Sequence, residues 1–154
     1  MHLKTLLVAA LAATNLMFAA DPAVGTWKLN LAKSKIPPAP GAPAEMTVIL
    51  EDQNGQVVST SKGKQSDGKP ISQKTSFPSE GGAINFLEPA PPADLSGQVK
   101  RIDADTLEFI TLRDGKEVQS SHNVLSKDRK TLTITGKAMT PQGPVEFVEV
   151  LEKQ

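Results

Sequence analysis

The sequence predicts an all-β protein, an antiparallel meander of about eight to ten strands that closes or nearly closes into a barrel. Three observations predict it. Past Asp21 the apolar residues recur at every second position, turn signals return roughly every eight to twelve residues, and the links between apolar segments are short. Short links force antiparallel pairing of neighbours, because a parallel crossover needs about a dozen residues or more. No stretch between Asp21 and Gln154 carries a capped helical stripe.

The chain has 154 residues, enough for one domain with a core of its own. Residues 1–20 read as a secretory signal. Lys4 supplies the basic start, Leu6 to Ala13 an apolar run, and Ala19-Ala20 a small-residue exit before Asp21. That leaves residues 21–154 as a single β domain, expected in the periplasm or secreted. The run is too short and too interrupted for a membrane span of about 20 apolar residues.

Lys4 is the only charge in the leader. A chain with 17 basic and 17 acidic residues therefore becomes one with a net charge near −1. With no basic block, neither nucleic acid nor an anionic membrane has an electrostatic footprint to hold. There is no cysteine, so disulfides and a lipid anchor on a mature N-terminal cysteine are both excluded, and the core alone must stabilise the fold.

The strands are expected at 25–32, 44–51, 56–63, 69–77, 83–87, 97–103, 106–113, 116–125, 131–139 and 145–152. In the clearest of them Leu132, Ile134, Gly136 and Ala138 share one face, and Thr131, Thr133, Thr135 and Lys137 the other. Met46, Val48 and Leu50 form a second apolar row, and Leu107, Phe109 and Thr111 a third. Val118, Ser120, His122 and Val124 make a weaker row. Residues 145–151 are apolar on both faces, which leaves their inward parity open. Asn54-Gly55, Asp67-Gly68 and Asp114-Gly115 are pairs that tolerate the positive φ of tight hairpin turns.

Two stretches break this rhythm. Residues 36–44 carry Pro37, Pro38, Pro40 and Pro43, and residues 88–94 carry Pro89, Pro91 and Pro92. Proline lacks the ladder donor and fixes φ, so both should run as extended surface segments. They are either stiff connectors or a rim at the mouth of the barrel.

The first strand opens Gly25-Thr26-Trp27-Lys28-Leu29-Asn30, and a Gly-x-Trp at this point resembles the start of lipocalin and fatty-acid-binding-protein barrels. The resemblance implies that Trp27 plugs the closed end beneath a basic side chain of the last strand. Lys153 is the equivalent here by cation–π contact, where those families more typically carry Arg. Asp21-Pro22, the opening strand and Lys33-Ser34-Lys35 are similar to small exported bacterial lipocalin-like proteins of uncharacterised function. So is the late segment from Leu125 to Thr135, although Asp128-Arg129 stands where that group usually has Asp-Gly.

Catalytic and metal chemistry find little support. With His2 in the leader, His122 is the only imidazole of the mature chain, too few for a zinc site. Ser120 and Ser121 flank it without a nucleophile elbow. Asp103, Asp105 and Glu108 lack the other oxygens and the glycine of a calcium loop. Glu149 and Glu152 alternate faces and do not form an acid–base pair. Lys62-Gly63-Lys64 is too short to cradle phosphate, and no nucleotide loop or other cofactor motif is present. No tyrosine, one Trp and five Phe leave few stacking platforms.

Three functional expectations follow. A barrel of about eight strands or more can hold one small ligand, so the first is binding of a small apolar or amphipathic molecule. Its lining would be Met46, Val48, Leu50, Phe109, His122, Leu132 and Ile134, with Arg101 as charge anchor. The second is an envelope interaction module that uses the proline loops. The third is a barrel isomerase or cyclase built on Arg101, His122 and Glu108. The lack of a catalytic constellation favours a non-enzymatic role.

Overall fold

A computed structural model describes residues 20–154; apart from Ala20, the expected leader lies outside the described residues. They fold as one antiparallel sheet, rolled into a nearly closed barrel. Its strands are β1 (Gly25–Leu29), β2 (Pro43–Gln53), β3 (Gln56–Gln65), β4 (Pro70–Pro78), β5 (Gly81–Ala83), β6 (Asn85–Glu88), β7 (Leu95–Asp103), β8 (Thr106–Arg113), β9 (Lys116–Leu125), β10 (Thr131–Thr140) and β11 (Gly143–Lys153). The order around the sheet is β5-β7-β8-β9-β10-β11-β1-β2-β3-β4-β6. Among the described residues no helix is long and apolar enough to cross a membrane.

The expected strand 83–87 is two strands in one stave. Gly81 to Ala83 pair with β7 opposite Lys100 to Gln98, and after Ile84 the chain turns its hydrogen bonds to β4, with Phe86 opposite Thr75. Each half zips one side of the seam. Gly97 on β7 makes room for the switch, since a Cβ there would lie 2.9 Å from Ile84 Cδ1 and 3.1 Å from Phe86 Cζ.

The first strand stops at Leu29, three residues earlier than its pattern suggests. Asn30 Oδ1 accepts the Lys33 N–H and caps a 3₁₀ turn over Leu31–Lys33. The chain then rejoins the sheet where Lys35 and Val148 exchange backbone hydrogen bonds of 2.7 and 2.8 Å. Ser34 Oγ accepts the Val150 N–H, so this edge of β11 keeps partners after β1 has ended.

Turn chemistry explains the hairpins. Asn54 and Gly55 both have positive φ (56° and 84°), as do Asp114 and Gly115 (49° and 73°), the pair of left-handed residues a two-residue hairpin loop requires. At 66–69 only Gly68 is left-handed, and a longer loop results. Arg129 takes φ 58° in the β9–β10 link, the conformation that a glycine would adopt more cheaply.

Register sets which rows face inward. Trp27 stands opposite Lys153 and Val48, Leu132 opposite Leu125 and Leu151, and Val99 opposite Phe109. The buried cluster is Trp27, Leu29, Val48, Leu50, Val57, Phe77, Val99, Leu125, Leu132 and Leu151. These residues lie towards the end where residues 21–24 and the β2–β3, β7–β8 and β9–β10 hairpins gather, so that end is plugged. Both proline segments connect strands at the opposite end.

Candidate functional site

The plug is built from the N-terminal segment. The Asp21 N–H donates to Asp52 Oδ2 (2.9 Å), and Asp21 Oδ1 accepts the Ala23 N–H (2.9 Å). Its other oxygen accepts Ser79 Oγ at 2.8 Å and Arg101 Nη2 at 2.5 Å. The pair is shielded from water, with side-chain exposures of 3% for Asp21 and 16% for Arg101. Arg101 further donates from Nε to the Ser79 carbonyl (2.7 Å) and from Nη1 to the carbonyls of Asp103 and Ala104 (3.3 Å each). Trp27 has no exposed surface and donates Nε1–H to the Ala23 carbonyl at 2.8 Å. Lys153 Nζ lies 5.5 Å from the Trp27 ring centroid. Gly25 allows this, because a Cβ at its φ of 145° would come within 2.8 Å of Lys153 Cε.

Above the plug the barrel holds a partly open cavity of about 620 Å³. Its apolar wall includes Met46, Val48, Leu50, Leu107, Phe109, Leu132 and Ile134, and Phe77 meets Phe109 edge to face at 5.1 Å. Ser59, Ser61, Gln73, Thr75, Gln119 and Asn123 add polar groups, and Gly41, Pro43 and Pro89 bring both proline segments into the lining. Apolar and polar groups share each level of the wall: Leu50 stands beside Ser59 and Thr75, and Val48 beside Ser61 and Gln73.

The structure brings together seven of the eight lining residues expected from sequence: Met46, Val48, Leu50, Arg101, Phe109, Leu132 and Ile134. His122 is not among them. The row grouped as Val118, Ser120, His122 and Val124 faces outward, and Gln119, Asn123 and Leu125 face the cavity instead. A strand's two faces alternate, and this one lacks a dominant apolar row to reveal which is inner. His122 is 59% exposed and lies 2.9 Å from Glu108 Oε2 in an outer groove. Arg101 and the Glu108–His122 pair therefore stand on opposite sides of the wall and do not converge. Arg101 also differs from its expected role as a ligand anchor, because its donors and its charge are already engaged by the plug.

Sequence reasoning missed Glu149. On β11 the inward row is Phe147, Glu149 and Leu151, as the pairing of Ile134 with Glu149 and Leu132 with Leu151 requires. Val148 and Val150 occupy the outer row beside residues 30–35, which is why the segment reads as apolar on both faces. Among the described residues no group of His, Cys, Asp or Glu is placed to hold a metal ion.

Burial pushes the Glu149 carboxyl above the ordinary glutamate range. Its protonated form is thus favoured in the folded state, and the folded protein binds more protons than the unfolded chain between the ordinary value near 4.3 and the raised one. Stability should fall as pH rises through that interval and stay reduced above it. Glu149→Gln is expected to raise the melting temperature by a few degrees at neutral pH, with the gain vanishing below about pH 4. Thermal unfolding of both proteins across pH checks this; an equal difference at every pH would contradict it.

The fold and cavity define a small antiparallel barrel with a partly open interior. No protein-family model matches the chain, and no curated protein does. Among solved structures it is similar to the crystal structure of Rv2717c from M. tuberculosis, with a TM-score of 0.52 and 13% identity over 86% of this chain and 93% of that one. At that identity the likeness is one of fold.

Proposed function

We propose that the protein is an exported, lipocalin-like carrier that holds one small amphipathic molecule inside the barrel. The observation that carries the reading is the cavity of about 620 Å³, within the range of roughly 300–1,000 Å³ usual for small-molecule sites. The apolar side chains of the lining suit a hydrocarbon or ring portion, and the polar ones beside them suit a head group. Burying about ten methylenes gains roughly 8 kcal/mol before ordering costs, so affinity in the micromolar range or weaker is expected. The leader-like residues 1–20 support placement in the periplasm or outside the cell. The proline segments serve this reading as a stiff rim, given that Gly41, Pro43 and Pro89 line the cavity.

The test is displacement of a neutral, polarity-sensitive dye such as Nile red from delipidated protein by dodecanol, alongside native mass spectrometry of the protein as purified. Saturable dye binding that dodecanol reverses is expected, and Ile134→Trp, which fills the cavity, should abolish it without unfolding the barrel. A wild-type protein that binds neither dye nor dodecanol would refute the carrier reading.

A further inference from the structure

The charges facing the cavity restrict the head group. Among the described residues the ionisable side chains in its lining are Asp21, Arg101, Asp105 and Glu149. Three of them are engaged. Asp21 and Arg101 neutralise one another within the plug, and Asp105 Oδ2 accepts Lys127 Nζ at 2.6 Å. Glu149 makes no hydrogen bond or ion pair with any described side chain, and it projects from the wall at the level of Ile134, with Asn123 one strand further round.

Such a cavity is hostile to a fatty acid. A carboxylate head would find no uncommitted cation and would lie beside a second carboxyl, where like charges raise the cost of ionising either one. A primary ammonium changes the balance. It restores a charged partner to Glu149, and a desolvated ammonium–carboxylate hydrogen bond is stronger than one between neutral groups. The Asn123 side chain, whose Oδ1 already accepts Ser121 Oγ at 3.0 Å, can add a further acceptor lone pair close by.

We infer that the barrel selects an amine-bearing amphiphile, with the ligand's ammonium held by Glu149 and its apolar part against Val48, Leu50 and Leu132, and that it discriminates against fatty acids. This rests on the carrier reading above and names its ligand class. The partial burial of Glu149 fits the assignment, because a half-buried acid without a partner is pushed towards its neutral form and gains most when a cation arrives.

The experiment compares dodecylamine, dodecanol and dodecanoate, each below its micellar concentration, on the full barrel at neutral pH by titration calorimetry. The expected order is amine first, by roughly tenfold or more over the alcohol, with dodecanoate weakest. Glu149→Gln, which keeps the side chain's shape, should bring the amine down to the level of the alcohol or below it. Dodecanoate binding as tightly as the amine, or an amine preference that survives Glu149→Gln, would overturn the inference while leaving a carrier of apolar chains intact. If none of the three compounds bound, the inference and the carrier reading would fall together.

Discussion

Trp27→Ala is expected to destabilise the barrel by about 3–5 kcal/mol, the range for deleting a large buried aromatic. Trp27 has no exposed surface, lies at the centre of the buried cluster and anchors the Asp21–Val24 plug through Nε1. Its removal leaves a void beneath Val48 and Leu29 and frees the Ala23 carbonyl. Proteins of this size have only about 5–15 kcal/mol in total, so the variant should unfold at a much lower urea concentration with a similar slope. Trp27→Phe keeps most of the bulk and loses the hydrogen bond, part of the cation–π contact and a smaller volume, so it should lie well above the alanine variant. A Trp27→Ala protein within about 1 kcal/mol of wild type would show that the closed end is not a packed plug.

Arg101→Ala should cost a comparable amount, about 3–5 kcal/mol, because it strands a buried carboxylate. Asp21 would keep Ser79 Oγ and the Ala23 N–H but lose its countercharge. The carbonyls of Ser79, Asp103 and Ala104 would lose their shared donor at the same time. The paired variant Asp21→Asn/Arg101→Met removes both charges and should recover much of the loss, since an uncompensated charge costs more than the absence of both. Urea denaturation of the single and double variants gives the coupling directly. A double variant as unstable as the sum of its parts would assign Arg101 a packing role alone.

Much of the fold could be read from the chain because its signals are local. Asn54-Gly55 and Asp114-Gly115 fix two-residue turns, and the alternation at 131–139 fixes both a strand and its inner face. Met46, Val48 and Leu50 were legible as lining for the same reason. What escaped depends on partners distant in sequence. Ile84 divides one apparent strand because β4 and β7 both need a neighbour, which a pattern confined to 83–87 cannot express. The β9 faces are ambiguous until β8 and β10 impose their register, and His122 was misplaced on that account. Arg101 looked like a free cation because its acceptors come from residues 21, 79, 103 and 104. Glu149 was hidden by the valines on either side of it, which face the opposite way.

The junction of β1 with β11 has a bearing on how the molecule assembles. Every other ladder joins strands that are near neighbours along the chain, so zippering can proceed hairpin by hairpin with small loop-closure costs. Trp27 meeting Lys153 and Leu29 meeting Leu151 must instead await a conformational search across almost the whole polypeptide. A chain emerging N-terminus first presents the hairpins first and the final stave last, so the barrel cannot close until β11 is free. Until then the indole that later seals the base has no lysine above it.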